Sequence, residues 1–312
     1  MGQSDSLLIF SLSSHPLLAK EIASHLGKSP AEVLIKSYPD HETGVQILES
    51  VRNKDVFVVQ TIALEPNHYL MELLIMIDAL KRASARSIVA VIPYYGYGRQ
   101  DRKDKGRVPI TAKLVADLLQ KAGATRVITM DLHSDQIQGF FDIPLDHLHA
   151  LPFLVEGIQK LSFHKGMIVA PDVGSKKLSI KVAEWLGWDV AIIDKRRLDE
   201  NRVEMNALIG DVEGKEVVIV DDIWSTGATL SLSALLCKKK GAKRIAAAVV
   251  HGPFSENPTV PNEVEKILTT NTIPCKHQLD KVEVVSVASL FAQAISCILH
   301  AKSLSSLYHQ EP

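Results

Sequence analysis

The chain has 312 residues, of which 46% are hydrophobic and 23% are charged, a balance that is typical of a globular protein and excludes a largely disordered one. The formal net charge of −1 gives no reason to expect a basic surface of the kind that binds nucleic acid or an anionic membrane, so neither is expected as a partner. This length predicts two domains of ordinary size, each able to bury its own core, and no apolar run approaches the length that spans a bilayer.

Short apolar runs alternate along the chain with amphipathic stretches. The apolar runs predict strands at 7–12, 33–35, 56–60, 88–92, 127–130, 167–170, 190–193, 217–220, 245–250 and 282–285. The amphipathic stretches predict helices at 16–26, 68–83, 110–122, 175–186, 229–240 and 290–301. This alternation is typical of mostly parallel sheets flanked by helices. The sequence therefore predicts an α/β fold with domains at 1–148 and 149–312, joined near 146–152.

A loop rich in tyrosine and arginine follows the predicted strand 88–92. It reads YYGYGRQDRK over residues 94–103 and places four charged residues beside aromatic side chains. An arginine pairs with phosphate through two hydrogen bonds or stacks on a base, which lysine does less well. The pattern favours a nucleotide-binding loop over a solvated charged loop.

Polar residues also follow two other predicted strands. Asp131 and His133 come after 127–130, and Asp172 comes after 167–170 in a loop that leads into a helix. A single histidine in such a loop is more often structural than a ligand. Because Mg²⁺ keeps several waters and takes few protein ligands alongside substrate phosphates, His133 and Asp172 are candidate contacts for a substrate-bound Mg²⁺. The sequence alone leaves open whether the two meet.

Three cations in a row, Lys195, Arg196 and Arg197, come directly after the predicted strand 190–193. On a surface loop such a run is usually only solvated. Beside a bound polyphosphate, the same run supplies the positive charge that phosphoryl transfer needs, and one such donor is typically worth about 3 kcal/mol of the barrier.

The most informative stretch is VVIVDDIWSTGAT, residues 217–229. Its apolar residues predict a buried strand that ends in Asp221 and Asp222. The small residues at 225–229 let backbone N–H groups close around an anion, and their hydroxyls add donors. The two carboxylates lie where sugar hydroxyls or a hydrated Mg²⁺ would meet them. The stretch predicts a pocket for a phosphorylated sugar, with an ordinary strand–helix turn as the alternative.

In this order and spacing, the segments resemble the ribose-phosphate diphosphokinase (phosphoribosyl-diphosphate synthetase) family nearly from end to end. The resemblance rests on residues 71–85, 92–103, 109–119, 131–148, 170–174, 191–197 and 220–230. It implies two tandem type I phosphoribosyltransferase-like domains, with the last helix or tail packing back on the N-terminal domain. It also implies that the diphosphoryl group of Mg-ATP is transferred to the 1-hydroxyl of ribose 5-phosphate, with Mg²⁺ as the cofactor.

The resemblance implies a role for each matched position. Lys195 and Arg197 match the cations that stabilise the transferring group, and His133 and Asp172 match the Mg²⁺ contacts. The implied ribose 5-phosphate ligands are Asp221, Asp222, Ser225, Thr226, Gly227, Ala228 and Thr229. The implied ATP ligands are Tyr38, Asp40, Glu42, Arg99, Gln100 and Asp101. Positions that bind inorganic phosphate or ADP in the phosphate-activated class correspond to Ser50, Arg52, Ser84, Ser303 and Ser305.

The family also implies a homo-oligomer, a hexamer built from dimers, because a neighbouring subunit supplies the nucleotide loop that matches SYPDHE at 37–42. A cytoplasmic location is expected, and three widely spaced cysteines without metal-ligand spacing fit a reducing compartment.

Two departures from the family pattern leave alternatives open. His41 stands where the family usually has glycine, and Ser225 stands where it usually has aspartate. These changes keep open a non-catalytic regulatory subunit of a synthetase complex. A phosphoribosyltransferase, which would consume phosphoribosyl diphosphate, shares the 220–230 motif but usually has one domain and lacks the arginine-rich loop.

Overall fold

The computed structural model describes residues 6–164, 166–199, 202–254, 258–275 and 279–307, except for the side chains of 195–199, 202–206 and 306. The chain divides into two compact units. Unit 1 comprises Met1–Leu148, Thr272–Pro274 and Ala288–Leu307, and unit 2 comprises His149–Asn271 and Cys275–Val287.

Fourteen strands and seven helices are found among the described residues. The first half contains β1 (Leu7–Ser11), α1 (Pro16–His25), β2 (Val33–Ser37), β3 (Thr43–Ile47), β4 (Asp55–Val59), α2 (Pro66–Arg82), β5 (Ser87–Ile92), α3 (Thr111–Ala122), β6 (Arg126–Met130) and β7 (Leu145–Leu148). The second half contains α4 (Leu151–Gln159), β8 (Gly166–Ala170), α5 (Lys176–Leu186), β9 (Asp189–Asp199), β10 (Arg202–Ile209), β11 (Glu216–Ile223), α6 (Ala228–Lys239), β12 (Arg244–His251), β13 (Lys266–Thr270), β14 (Val282–Val285) and α7 (Ala288–Leu299).

Unit 1 is built on a five-stranded parallel sheet in the order β1-β4-β5-β6-β7. A parallel bridge between Phe10 and Ala31 carries the chain beyond β1 after α1. Right-handed connections therefore place α1 on the face opposite α2 and α3. Helix α7 packs against α1 within this unit, and β2 and β3 form a separate antiparallel hairpin.

Unit 2 is built on a seven-stranded sheet in the order β10-β9-β8-β11-β12-β13-β14. Among the described strands of this sheet, β10 alone runs antiparallel to its neighbour, β9, and the other pairs are parallel. From β8 the chain moves to β9 on one side, and later from β11 to β12 on the other side. The strand order therefore reverses between β8 and β11, and right-handed connections place α5 and α6 on opposite faces.

Every strand and helix predicted from the sequence is present, with ends that differ by a few residues. The sequence patterns did not predict β3, β7, β10, β13 and α4, and in this respect the prediction was wrong. None of the helices described here combines the length and apolar character needed to cross a bilayer.

Candidate functional site

The carboxylates of unit 2 gather at the point where its strand order reverses. Asp221 and Asp222 lie near the carboxyl end of β11, and Asp172 follows β8, the neighbouring parallel strand. In open α/β sheets, ligands bind outside the carboxyl ends of strands at this kind of reversal. The fold therefore places three acidic side chains at a position that is suited to a ligand.

Within this group, the pKa of Asp221 is strongly shifted by its surroundings. Burial raises the pKa of its carboxyl well above the usual range, and the carboxylates of Asp222 and Asp172 raise that pKa further. Within the pair, the Asp222 N–H donates to Oδ1 of Asp221 at 3.0 Å. The accumulated negative charge favours a bound group that offers hydroxyl donors or a cation.

The loop after β11, residues 225–229, ends in the first turn of α6, so we call it the phosphate loop. Gly227 precedes α6 in a left-handed conformation with φ +94°. The backbone N–H groups and partial positive charge of a helix N-terminus attract anions. Thr226 is exposed and Ser225 is half-buried, so their hydroxyl groups lie at the surface of this loop.

The loop after β8 has its own hydrogen-bonded turn. The Ser175 N–H donates to Oδ1 of Asp172 at 3.0 Å, and the Ser175 hydroxyl donates to the Asp172 carbonyl at 3.1 Å. Ser175 is buried and precedes α5. These bonds hold the Asp172 carboxylate at the mouth of the β8–α5 turn, and Asp172 is itself half-buried.

The expectation that Lys195 and Arg197 lie on a loop was wrong. Strand β9 continues through Asp199, and Lys195 and Arg197 pair with Met205 and Val203 of β10. Antiparallel pairing between β9 and β10 keeps the backbone extended beyond the predicted end of the strand. The side chains of both cations fall outside the part that the structure describes.

In unit 1, the expected nucleotide loop Tyr38–Glu42 closes the β2–β3 hairpin. The Tyr38 N–H donates to the Glu42 carbonyl at 2.8 Å, and the Glu42 N–H donates to Oδ1 of Asp40 at 3.2 Å. His41 has φ +69°, a left-handed conformation that glycine adopts at lower cost. Position 41 therefore keeps a backbone conformation that favours glycine, although the residue here is histidine.

The arginine-rich loop follows β5 and leads towards α3. Arg99 and Gln100 are exposed. The backbone of Gln100 is held from both sides, since its N–H donates to Tyr97 at 2.9 Å and its carbonyl accepts from Ala112 at 3.2 Å. The Thr111 hydroxyl donates to the Gln100 side chain. Asp101, the next residue, is half-buried.

This loop lies next to the expected metal contact of unit 1. A Cβ atom on Gly98 would lie 3.8 Å from Cβ of His133, so Arg99 and His133 come from adjacent segments. His133 is exposed. His133 belongs to unit 1 and Asp172 to unit 2.

A buried histidine supports the His133 loop, and sequence reasoning did not single it out. Nε2 of His147 accepts a hydrogen bond from the Leu132 N–H at 2.8 Å. A ligating nitrogen of His147 and an oxygen of Asp131 lie within 4.8 Å of each other. The signal in the sequence is weak, because His147 is fifteen residues from Leu132 and appears only as part of LDHL in β7.

The residues expected to bind inorganic phosphate or ADP lie on exposed turns of unit 1. Ser50, Arg52 and Ser84 are exposed, and the N–H of Asn53 donates to the Ser84 carbonyl at 3.0 Å. This bond brings the Arg52 and Ser84 turns side by side. After α7, the Ser303 hydroxyl donates to the Ser305 hydroxyl at 3.0 Å.

Two family models match the chain. One describes the N-terminal domain of ribose phosphate pyrophosphokinase and matches residues 7–123, and the other describes the phosphoribosyl synthetase-associated domain and matches residues 202–309.

Curated relatives match almost the whole chain. The ribose-phosphate pyrophosphokinase of Aquifex aeolicus is 48% identical over 301 residues, which cover 95% of this chain and 96% of the relative. The ribose-phosphate pyrophosphokinase of Wolinella succinogenes is 48% identical over 303 residues, which cover 96% of this chain and 98% of the relative. A crystal structure of phosphoribosylpyrophosphate synthetase from Mycobacterium smegmatis has a TM-score of 0.88 at 37% identity, covering 95% of this chain and 99% of that one.

Proposed function

The chain belongs to the ribose-phosphate pyrophosphokinase family, and we propose that it transfers the diphosphoryl group of Mg-ATP to the 1-hydroxyl of ribose 5-phosphate. The hydroxyl oxygen forms a bond to the β-phosphorus of ATP. The bond from that phosphorus to the α,β-bridging oxygen breaks, AMP leaves, and the hydroxyl proton passes to solvent. The product is 5-phosphoribosyl 1-diphosphate.

The acceptor site is supported by the carboxylates and the phosphate loop at the strand reversal of unit 2. This is the observation that carries the proposal. Ribose 5-phosphate has hydroxyl donors at one end and a phosphate at the other. Asp221 and Asp222 accept hydrogen bonds from the hydroxyls, and the N–H groups of the loop before α6 bind the phosphate.

The oxygen ligands that the chain offers fit a Mg²⁺ ion bound together with the substrate phosphates. Mg²⁺ prefers oxygen ligands, and Asp172 offers a half-buried carboxylate beside the other two acids. His133 is the contact that the family resemblance assigns in unit 1. When bound, the ion neutralises charge on the phosphate oxygens of the donor.

The chain's own residues then orient the donor and stabilise its charge. Arg99 and Gln100 bind ATP from an exposed loop whose backbone is fixed at Gln100. Lys195 and Arg197, in the β9–β10 hairpin, contribute positive charge where negative charge develops on the transferring group. Phosphoryl-type transfer needs little covalent help from protein, so positioning and charge account for most of the catalysis.

The proposal extends to assembly, control and location. A homo-oligomer, a hexamer built from dimers, would let the Tyr38–Glu42 turn serve the nucleotide site of a neighbouring subunit. Inorganic phosphate or ADP would bind at the exposed turns that carry Arg52 and Ser84. The reaction is expected in the cytoplasm, where the three cysteine thiols of the chain stay reduced.

The test is AMP formation by the purified protein with Mg-ATP, with and without ribose 5-phosphate, at low and high inorganic phosphate. AMP that appears only with the sugar supports diphosphoryl transfer, and stimulation by phosphate supports the phosphate-activated class. Absence of AMP under every condition contradicts the proposal and favours a regulatory subunit. Consumption of phosphoribosyl diphosphate with a nucleobase would instead indicate a phosphoribosyltransferase.

A further inference from the structure

The phosphate loop is held at its start by the end of β12 and the residues that follow it. We call residues 251–254 and 258–259 the support segment. The Trp224 N–H donates to the His251 carbonyl at 2.8 Å, and the Phe254 N–H donates to the Trp224 carbonyl at 3.2 Å. The Trp224 side chain is 2% exposed and belongs to the core of unit 2. Both backbone groups and the side chain of Trp224 are therefore fixed immediately before the phosphate loop.

The same segment holds the middle of the phosphate loop. The Thr259 N–H donates to the Thr226 carbonyl at 2.9 Å. At the next residue, a Cβ atom on Gly227 would lie 2.3 Å from the Thr259 carbonyl oxygen. The two backbones are thus in close contact at the point where the loop enters α6.

Gly252 permits the first of these contacts. It is buried, and a Cβ atom at this position would lie 2.7 Å from the Trp224 carbonyl oxygen and 2.8 Å from Trp224 Cβ. Neither atom is the end of a flexible side chain. An alanine at position 252 must therefore shift the backbone of Trp224, and with it the start of the phosphate loop.

We propose that the support segment positions the phosphate loop for ribose 5-phosphate, with Gly252 and the backbone N–H of Thr259 as its positioning elements. The inference rests on the function proposed above. Backbone N–H groups bind phosphate well only when they already point at it, because ordering a loop on binding costs conformational entropy. The support segment fixes Trp224, immediately before the loop, and Thr226, within it, before the substrate arrives, so its sequence controls affinity for the sugar phosphate.

The experiment measures KM for ribose 5-phosphate and for ATP separately in two variants of the full chain. Gly252→Ala adds the clashing methyl group, and Thr259→Pro removes the N–H that donates to Thr226. Each is expected to raise the KM for ribose 5-phosphate about tenfold, since displacements of about 1 Å at a binding site have effects of this size or larger. The KM for ATP is expected to stay within about twofold, because the contacts that we perturb lead to Trp224 and Thr226 on the ribose 5-phosphate side of the site.

Each variant has a matched control. Thr259→Ala retains the N–H and the Cβ atom, and Gly139→Ala adds a methyl group that meets no described atom within 4 Å beyond its neighbours along the chain. Both controls are expected to keep both KM values. Thermal unfolding checks that the variants fold, and Thr259→Pro decides the question if Gly252→Ala does not fold, since Thr259 is exposed.

The outcomes separate the inference from the function on which it rests. An unchanged KM for ribose 5-phosphate in a folded variant overturns the inference, and so does an equal rise in both KM values, which would indicate general damage. In either case the wild-type protein still forms AMP. Loss of the proposed function itself would appear as wild-type protein that makes no AMP at all.

Discussion

The ring of Tyr38 lies against Gly44 across the β2–β3 hairpin, where a Cβ atom on Gly44 would lie 2.9 Å from the ring carbon Cε2. The side chain of Tyr38 is 51% exposed, so its ring moves more easily than the hairpin backbone. A substitution at Gly44 therefore displaces the ring that we assign to ATP.

Gly44→Ala is expected to raise the KM for ATP roughly fivefold or more, because stacking of a base on an aromatic ring is worth about 1–3 kcal/mol. The KM for ribose 5-phosphate should not change. Steady-state kinetics with each substrate varied in turn gives both values, and Gly139→Ala serves again as the control. An unchanged KM for ATP would remove Tyr38 from the nucleotide site.

Lys195→Ala is expected to lower kcat about a hundredfold or more, since one donor that stabilises developing charge is worth about 3 kcal/mol. The KM for ribose 5-phosphate should remain near its original value, because the cation acts on the transferring group. Arg196→Ala, in the same strand, removes the same charge from a position that the family pattern does not assign. Equal losses in both variants would indicate that only net charge matters.

Cys237 is expected to resist alkylation in the folded protein. Burial raises the pKa of its thiol to about 12, from a usual value of 9.0, and the thiolate is the reactive form. Cys275 and Cys297 are half-buried and should react with iodoacetamide faster at pH 8. Peptide mass spectrometry of native and urea-unfolded protein separates the three, and rapid labelling of native Cys237 would contradict the prediction.

The same shift makes stability depend on pH. The folded protein keeps the Cys237 proton up to about pH 12, whereas the unfolded chain releases it above pH 9.0. The contribution of this thiol to the free energy of unfolding is therefore complete below pH 9.0 and is lost as the pH rises towards 12. Cys237→Ala should remove this part of the alkaline decline, which urea titrations at pH 8 and pH 10 would detect.

His147→Ala is expected to lower the free energy of unfolding by about 1–3 kcal/mol, the cost of leaving a buried backbone donor without its acceptor. The donor is the N–H of Leu132, a residue that is 8% exposed. His147→Gln retains an acceptor and should recover part of the loss. Urea unfolding measures both variants, and equal stability of His147→Ala and the wild type would show that this bond contributes nothing.

Local patterns in the sequence predicted most of the fold because the buried strands are short apolar runs and the helices carry an apolar face. In α2, for example, the buried residues Leu73, Met76, Ile77 and Leu80 recur at helical spacing. The patterns also predicted that Asp172 and Asp221 end strands. That these strands are neighbours at the reversal of the sheet is a long-range property, which one sequence does not reveal.

The missed elements have local causes. Strand β7 reads LDHL and so contains no apolar run, and α4 begins with Leu151-Pro152, which reads as a junction. Proline is tolerated in the first turn of a helix, where its missing N–H costs nothing. The extension of β9 through Lys195 and Arg197 depends on pairing with β10, and charged residues alone do not predict it.

For the candidate site, the structure shows where the predicted residues lie and does not test their roles. The turn at Tyr38–Glu42 and the loop before α6 lie where the sequence indicated. The close contact between Gly227 and Thr259 joins residues more than thirty positions apart, so local sequence propensity cannot predict it. The roles assigned to the individual site residues stay predictions until the variants are measured.

Unit 1 includes α7, which packs against α1, although most of the residues between Leu148 and Ala288 belong to unit 2. During synthesis, the ribosome therefore exposes α1 long before the helix that covers it exists. The apolar face of α1 stays uncovered while nearly all of unit 2 is synthesised. Contacts between segments so far apart in the sequence form slowly. Unit 1 therefore completes its folding only after α7 is synthesised. A chain stalled before Ala288 leaves unit 1 without this helix and prone to aggregate.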